Sequence, residues 1–503
     1  MQSGLVQQSR TRYLFIAAST SLLLCVYVCL PNKQYAFDAI DFATAARDGV
    51  NLWHPHHLLY NGLGRLAHLA APDFETIRLL AALNSVVTVL TALAILGLGF
   101  RVTNNLRISA IIAAGYSVTH GVWYMATSVE CYPMASLCEV IALYLAFPSA
   151  SLNLGRLLAC SVASAFAVLF HQTGVFFVPA MALLLSLRNE SKVSAAAYLV
   201  VTALLVAAAY VIVGHKLGLH SVADVKFWIF SYIHSPQFES GQWGGGARLI
   251  APLLGGVGAL TSVYRPYFTL QIQPFAPYVF HPADLLVAAC AIASAIAGTL
   301  AFVKVRPAPR DHARRDIRLS LVLWVVLHSL FTIWWEAVNF EFWIMLLPAI
   351  SLLIAMRMAE YKQLGLAEFA VACLAASTFL GSAWPAYYEP NAVEEILSTL
   401  RDKGIGAKDL VLTNIPDVAP YGRYFLNVPV QVATLCFERP ASVAAKIMES
   451  SRTFLLDTER YEVHGLCTKQ LLSDFYDEKG RAAQQVGTYH MCNREWPVLR
   501  LRT

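Results

Sequence analysis

Charge is what this 503-residue chain has least of. Asp, Glu, Lys and Arg together make up 14% of it, where a soluble domain carries about 25%. Apolar residues fill 57% and mean hydropathy is +0.54. So little charge excludes an ordinary soluble enzyme, a disordered chain and a nucleic-acid binder. Cysteine is sparse as well: ten in this length give no disulfide framework. Cys25, Cys29, Cys160, Cys290 and Cys373 lie inside apolar runs, where they serve as small hydrophobes. No repeats or low-complexity tracts stand out. The net charge of +5 comes mostly from Lys and Arg at the edges of apolar runs and says nothing about acidic partners. What is abundant is apolar sequence of membrane length, so the chain reads as a polytopic membrane protein.

A hydrocarbon core of about 30 Å needs roughly 20 apolar residues per helix. Suitable runs lie near 13–30, 79–99, 108–122, 134–150, 157–170, 175–187, 195–213, 284–303, 319–335, 342–357 and 364–385. Arg10 and Arg12 precede the first run, and no convincing small-residue cleavage site follows it, so it reads as a retained anchor with a cytoplasmic N-terminus. If each run crosses once, Arg101, Arg107, Arg156, Arg188, Lys192, Arg357 and Lys362 all fall on the cytoplasmic side. So does the most basic loop, with Lys304, Arg306, Arg310, Arg314, Arg315 and Arg318. Counting the apolar stretch 248–263 as a span would push that loop outside, so 248–263 is assigned to a surface or re-entrant helix. The expectation is an α-helical polytopic fold of about eleven spans, residues 1–386, with external loops at 31–78 and 214–283.

From about Tyr387 to Thr503 charges return. NAVEEILSTLRDKG, ASVAAKIMESS and KQLLSDFYDEKG read as helices, and DLVLTN and TFLLDT as strands. Such alternation predicts a small external α/β domain, 387–503, with a partly parallel sheet. It has no Gly-rich phosphate loop. Cys436, Cys467 and Cys492 lie in it, and one pair could bridge in an oxidising compartment, with the pairing left open.

The first external loop holds most of the chemistry-bearing residues: Asp38 and Asp41, three apart and therefore on one face of a helix, followed by Trp53, His54, His56, His57 and Tyr60. It is longer than a connection requires. The second loop, GVWYMATSVECYPMASL, carries Glu130 beside Tyr132 and Pro133, and LFHQTGVFF puts His171 and Gln172 at a turn on the same side. Acids and imidazoles from separate loops then emerge on one face, as suits a base that activates a hydroxyl beside an anionic leaving group. The stretch 227–243 is aromatic, with His234 and Glu239, and reads as an interfacial helix or as a lid over a glycan site.

Asp38 just after the first span, Phe42, AARDG and HPHHLLY together resemble the first external loop of the GT-C superfamily of integral-membrane glycosyltransferases. VECYP resembles the second-loop acid motif, and HQTG the polar turn between two short helices. The protein mannosyltransferases and the aminoarabinose lipid A transferase belong to this superfamily. The resemblance implies a catalytic acid in the first loop and many spans with an external C-terminal domain. Two departures matter. Ala39 stands where many relatives carry a second adjacent acid, leaving Asp38 and Asp41 as alternative bases. Near the tenth span the chain has WWEAVNFEFWIMLLP, with Glu336, Asn339 and Glu341, in place of an Arg-Tyr pair, which suggests acceptor or sugar contacts there.

The implied reaction transfers a sugar from a polyprenyl-phosphate donor in the bilayer to a hydroxyl on a glycan, lipid or protein acceptor. Asp38, Asp41 and Glu130 form the catalytic set. His54, His56, His57, His171, Gln172, Glu336, Asn339 and Glu341 are substrate contacts, with Arg248 and Arg265, then Lys216, for the departing phosphate. A divalent metal on the HPHH run with Asp38 or Asp41 is a lesser possibility, because the spacing matches no strong zinc signature. The competing readings are a transporter or flippase and a non-catalytic assembly factor on the same scaffold. Transporters place charge near the bilayer midplane and often show repeated halves. Here nearly all acids and His fall at span ends, His328 excepted. Short loops and the absence of retrieval signals favour a bacterial inner membrane with a periplasmic active side.

Overall fold

The computed structural model describes residues 2–35, 37–147, 153–189, 192–230, 250–263, 282–303, 312–359, 364–388, 392–406, 408–413, 418–426, 431–434, 446–447, 449–456, 483–491 and 494–501. The helices, in chain order, are α1 Gln2–Cys29, α2 Phe37–Asp48, α3 Tyr60–Ala70, α4 Thr76–Thr103, α5 Leu106–Ser117, α6 His120–Thr127, α7 Tyr132–Ala146 and α8 Leu154–Phe170. They continue as α9 Phe177–Asn189, α10 Lys192–Lys216, α11 Val222–Phe230, α12 Ala251–Leu260, α13 Pro282–Val303, α14 His312–Glu336, α15 Phe340–Ile344, α16 Leu347–Met358, α17 Gly365–Thr378, α18 Trp384–Tyr388, α19 Ala392–Asp402 and α20 Val418–Tyr421.

The described parts of the apolar runs are largely helical, broken at 118–119 and 345–346, and six helices are long and apolar enough to cross a bilayer, or seven if the bent pair α6–α7 counts as one. The expectation of about eleven full spans therefore exceeds what length supports among the described residues. Ile16–Cys29, Leu106–Ser117, Leu154–Phe170 and Gln172–Leu187 are apolar but shorter. Within 250–263, α12 has ten residues, about 15 Å of helix at 1.5 Å per residue, half a hydrocarbon core. The basic loop from 304 to 311, the cysteines Cys436, Cys467 and Cys492, and most of 227–243, with His234 and Glu239, lie outside the described residues.

The chain divides into two compact units. One comprises Met1–Asn32, Ala45–Arg265 and Pro282–Pro385; the other comprises Lys33–Thr44, Pro266–His281 and Ala386–Thr503. The second unit takes in the first half of α2, with both Asp38 and Asp41.

In the first unit, α6 and α7 meet at an angle of 114°. The break follows from sequence. Ser128 is extended, and Pro133 occupies the first turn of α7, where its missing N–H costs nothing. Buried non-helical backbone survives only if its polar groups are paired. Asn84 of α4 supplies that pairing: its Nδ2 donates to the carbonyls of Ser128 (3.0 Å) and Glu130 (2.8 Å) and to the Tyr60 hydroxyl (3.3 Å). Ser85, next in sequence, donates to Ala126 O at 2.7 Å. Close glycine contacts seat the neighbouring short helices. A methyl added at Gly121 of α6 would lie 2.6 Å from Ile344 Cγ1 of α15, and one at Gly255 of α12 would lie 2.5 Å from Trp343 Nε1.

Glu139, on α7, departs from the expectation that acids sit at span ends. It is fully buried, and neither carboxylate oxygen has a hydrogen-bond partner among the described residues.

In the second unit a five-stranded mixed sheet has the order β2-β1-β3-β5-β4, with β1 Asp409–Thr413, β2 Gln431–Thr434, β3 Arg452–Leu456, β4 Ala483–Met491 and β5 Arg494–Leu501. β1 pairs with β2 and β3 in parallel, while β3–β5 and β4–β5 are antiparallel. The partly parallel sheet agrees with the sequence, as do α19 and the strands around DLVLT and TFLL. The closing hairpin was not anticipated. Helix α19 ends at Gly404, whose φ of +63° and N–H bond to Arg401 O (2.8 Å) make the left-handed stop that glycine supplies. Arg452 locks that stop to β1, donating to Gly404 O and to both carboxylate oxygens of Asp409. Most of ASVAAKIMESS and all of KQLLSDFYDEKG lie outside the described residues.

Gly121→Ala and Gly255→Ala are expected to cost about 1–3 kcal/mol each through forced repacking. Gly256→Ala, which meets nothing within 4 Å, is expected to be neutral. Thermal unfolding of the detergent-solubilised protein checks the contrast.

Candidate functional site

The two carboxylates of α2 belong to the second unit. Asp38 stands in the helix's first turn, where the N-terminal dipole favours an anion, and Asp41 follows one turn later on the same side. Both are solvent-exposed, yet enough protein surrounds them to weaken their hydration. That desolvation raises the Asp38 carboxyl. It also raises Asp41, helped by the negative charge of Asp38 and opposed by Arg423, to about 6. Neither carboxylate is engaged in a hydrogen bond or ion pair among the described residues.

Arg423 was missed by sequence reasoning. It lies in a single π-helical turn, Gly422–Leu426, that continues α20, more than 380 positions away along the chain. Tyr421 donates its hydroxyl to Tyr35 O at 2.6 Å, and Tyr35 stacks on Phe425 with ring centroids 6.1 Å apart. This contact seats the turn just ahead of α2. The only sequence signal was YGRYF itself, an arginine among aromatics.

In the first unit, the motifs HPHH and HQTG come together. Gln172 Nε2 donates to Pro55 O (2.9 Å) and to the Tyr210 hydroxyl (3.3 Å), while Tyr210 donates to the same Pro55 O. Leu59 N–H reaches Leu169 O at 3.1 Å, and Leu58, Leu169, Tyr210 and Val213 close a small core beneath. His171 Nδ1 accepts from the Thr173 amide (3.3 Å), so the ring proton resides on Nε2. The short 3-10 turn Pro55–His57 starts at His54, whose ring accepts from the His56 amide. Burial, and for His56 and His57 the neighbouring imidazoles, hold these rings uncharged: His54 and His56 are lowered to about 4, and His57 lies well below its ordinary value.

His54 and His57 stack with centroids 4.2 Å apart and planes within 9°. An imidazole binds a metal in its ring plane, and two parallel planes offer no common point, so this pair does not chelate one ion. No group of three or more His, Cys, Asp or Glu side chains is arranged to hold a metal among the described residues.

Glu130 is buried at 2% exposure. Its neighbour Tyr132 packs on His171 (centroids 4.4 Å), and Phe342 of α15 approaches both rings. Asn339 caps α15 by accepting from the Glu341 amide (3.0 Å) and donates to Glu336 Oε2 (3.2 Å); Glu341 is buried. The Glu336–Asn339–Glu341 cluster thus builds a helix start that carries Phe342 to the HQTG turn. Lys216 is exposed, 5.5 Å from the centre of the Trp53 ring. Arg248 and Arg265 lie outside the described residues.

Short helices, a sharply bent helix pair and an acid-bearing helix directly after the first apolar helix belong to a fold that solved structures share. The likeness is to the solved structure of ArnT from Cupriavidus metallidurans in the apo state, with a TM-score of 0.60 at 11% sequence identity, covering 98% of both chains. It extends to ArnT from the same organism bound to undecaprenyl phosphate, with a TM-score of 0.59, the same identity and the same coverage. No family model and no curated protein matches the sequence.

Gln172→Ala is expected to destabilise the protein by about 1 kcal/mol, since Tyr210 still satisfies Pro55 O. Gln172→Ala with Tyr210→Phe leaves that buried carbonyl unpaired and is expected to cost more than the two single changes together. Unfolding temperatures of the four proteins in that cycle supply the check.

Proposed function

We propose that the protein is a membrane glycosyltransferase that moves a sugar from a polyprenyl-phosphate donor to an acceptor hydroxyl, with inversion at the anomeric carbon. The observation that carries the reading is the pair of exposed carboxylates on α2, immediately after the first apolar helix, within a fold shared over 98% of its length with ArnT. The ArnT structure with undecaprenyl phosphate supports a polyprenyl carrier. The acceptor is a glycan, lipid or protein hydroxyl.

Asp41 is the base in this account. A carboxylate that titrates near 6 is ionised at neutral pH yet basic enough to take a proton as the acceptor oxygen attacks. As the C–O bond to the acceptor forms, the bond to the lipid phosphate breaks, and the electron pair leaves on the phosphate. Asp38 supplies a second negative charge that keeps the neighbouring carboxyl basic. The HPHH–HQTG platform, held neutral by burial, offers hydrogen bonds to sugar hydroxyls without repelling or trapping charge. Basic residues, Lys216 among them, receive the departing phosphate. Lys and Arg at the opposite ends of the apolar helices support a periplasmic site in a bacterial inner membrane.

Purified protein supplied with polyprenyl-phosphate sugars should transfer sugar, and Asp41→Asn should lower kcat by about 10²–10⁴-fold with unfolding unchanged. Because only the ionised base works, kcat/KM should fall as pH drops through about 6 and stay level above it. Full activity in both Asp38→Asn and Asp41→Asn would remove the proposed base. Movement of intact lipid-linked sugar across sealed vesicles, with no covalent product, would favour a flippase.

A further inference from the structure

We propose that the second unit holds Arg423 close to the start of α2, where its charge acts on Asp41. The inference deepens the glycosyltransferase reading and rests on it for its catalytic meaning.

The placement is built. The π-helical turn that carries Arg423 is pinned on both sides of that residue: Tyr421, two positions earlier, donates to Tyr35 O, and Phe425, two positions later, stacks on the Tyr35 ring. Tyr421 is fully buried and Tyr424 nearly so, while Arg423 between them is exposed. Tyr35 stands two residues before α2, so the same contact that anchors the turn fixes its distance from the start of the acidic helix. Nearby, Lys33 N–H bonds to Ala386 O at 2.9 Å and its ammonium lies over the Tyr387 ring, so the start of the C-terminal chain is tied to the same segment. Among the described residues no hydrogen bond or ion pair engages the Arg423 guanidinium.

Among the described residues, the charges that act on Asp41 are Asp38 on its own helix and Arg423 on the pinned turn, with opposite effects. Asp38 pushes the carboxyl towards protonation and Arg423 pulls it back. Arg423 is therefore a positioning residue: it acts through Asp41, keeping the base ionised in surroundings that would otherwise neutralise it. Arginine suits the task because its charge does not titrate in the working range.

The test is carbodiimide labelling of Asp41 against pH, read by peptide mass spectrometry on the full-length detergent-solubilised protein, alongside the pH–rate profile. Carbodiimide reacts with the protonated carboxyl, so wild type should label below about pH 6. Arg423→Gln should extend labelling to higher pH, Arg423→Lys should restore the wild-type profile, and Asp38→Asn should shift it the opposite way. For a rise of one pH unit in the midpoint, the ionised fraction at pH 6 falls from about one half to about one tenth. The rate at pH 6 would then drop about fivefold, while the rate at pH 8 would change little. If Arg423→Gln does not fold, Arg423→Met keeps the length of the side chain without its charge. An unmoved labelling midpoint in a folded, uncharged variant overturns the inference. If wild type transfers no sugar from any lipid-linked donor, the functional reading fails while the labelling result stands on its own.

Discussion

The first unit depends on one constraint: buried backbone that leaves helical geometry must find its hydrogen-bond partners within the protein. The chain breaks its helix at Ser128–Cys131, and a single amide, Asn84, meets the freed carbonyls. Because Asn84 also bonds to Tyr60, the break is fastened to the helix that follows the HPHH turn. Tyr132, at the exit of the break, packs on His171, and Phe342 closes over both. One asparagine thus stands at the root of a platform built from four separate stretches of chain.

The acids obey a different logic. A carboxylate in open water would remain a weak base, and one sealed in the bundle, as Glu139 is, could not reach a substrate. Asp38 and Asp41 fall between these limits. They are reachable by solvent but poorly hydrated, and at Asp41 the charge of Asp38 adds to the effect. The C-terminal chain returns to this segment and brings an arginine with it, so a domain that looked peripheral in sequence takes part in the acid's environment.

Much of this was legible in the sequence, because apolar runs and short polar interruptions are one-dimensional signals. The largely helical character of the runs and the partly parallel sheet followed from local pattern. The number of long helices did not, since hydropathy does not reveal that the run 108–122 is broken between Leu106–Ser117 and His120–Thr127. Glu130 is buried at a sharp bend, and the bend is recorded only in Pro133 and the distant Asn84. Arg423 could not be found because its role arises from a contact between Tyr35 and Tyr421, which no local pattern encodes. The antiparallel hairpin of β4 and β5 was likewise invisible in strands of mixed polarity.

The central claim is direct displacement at the anomeric carbon, with a carboxylate of α2 removing the acceptor's proton. Proton NMR of the newly formed glycosidic linkage, compared with the configuration of the lipid-linked donor, tests it most directly. The account predicts that every turnover inverts the anomeric centre. A product that retains the donor's configuration would require a covalent or ion-pair intermediate and would contradict it.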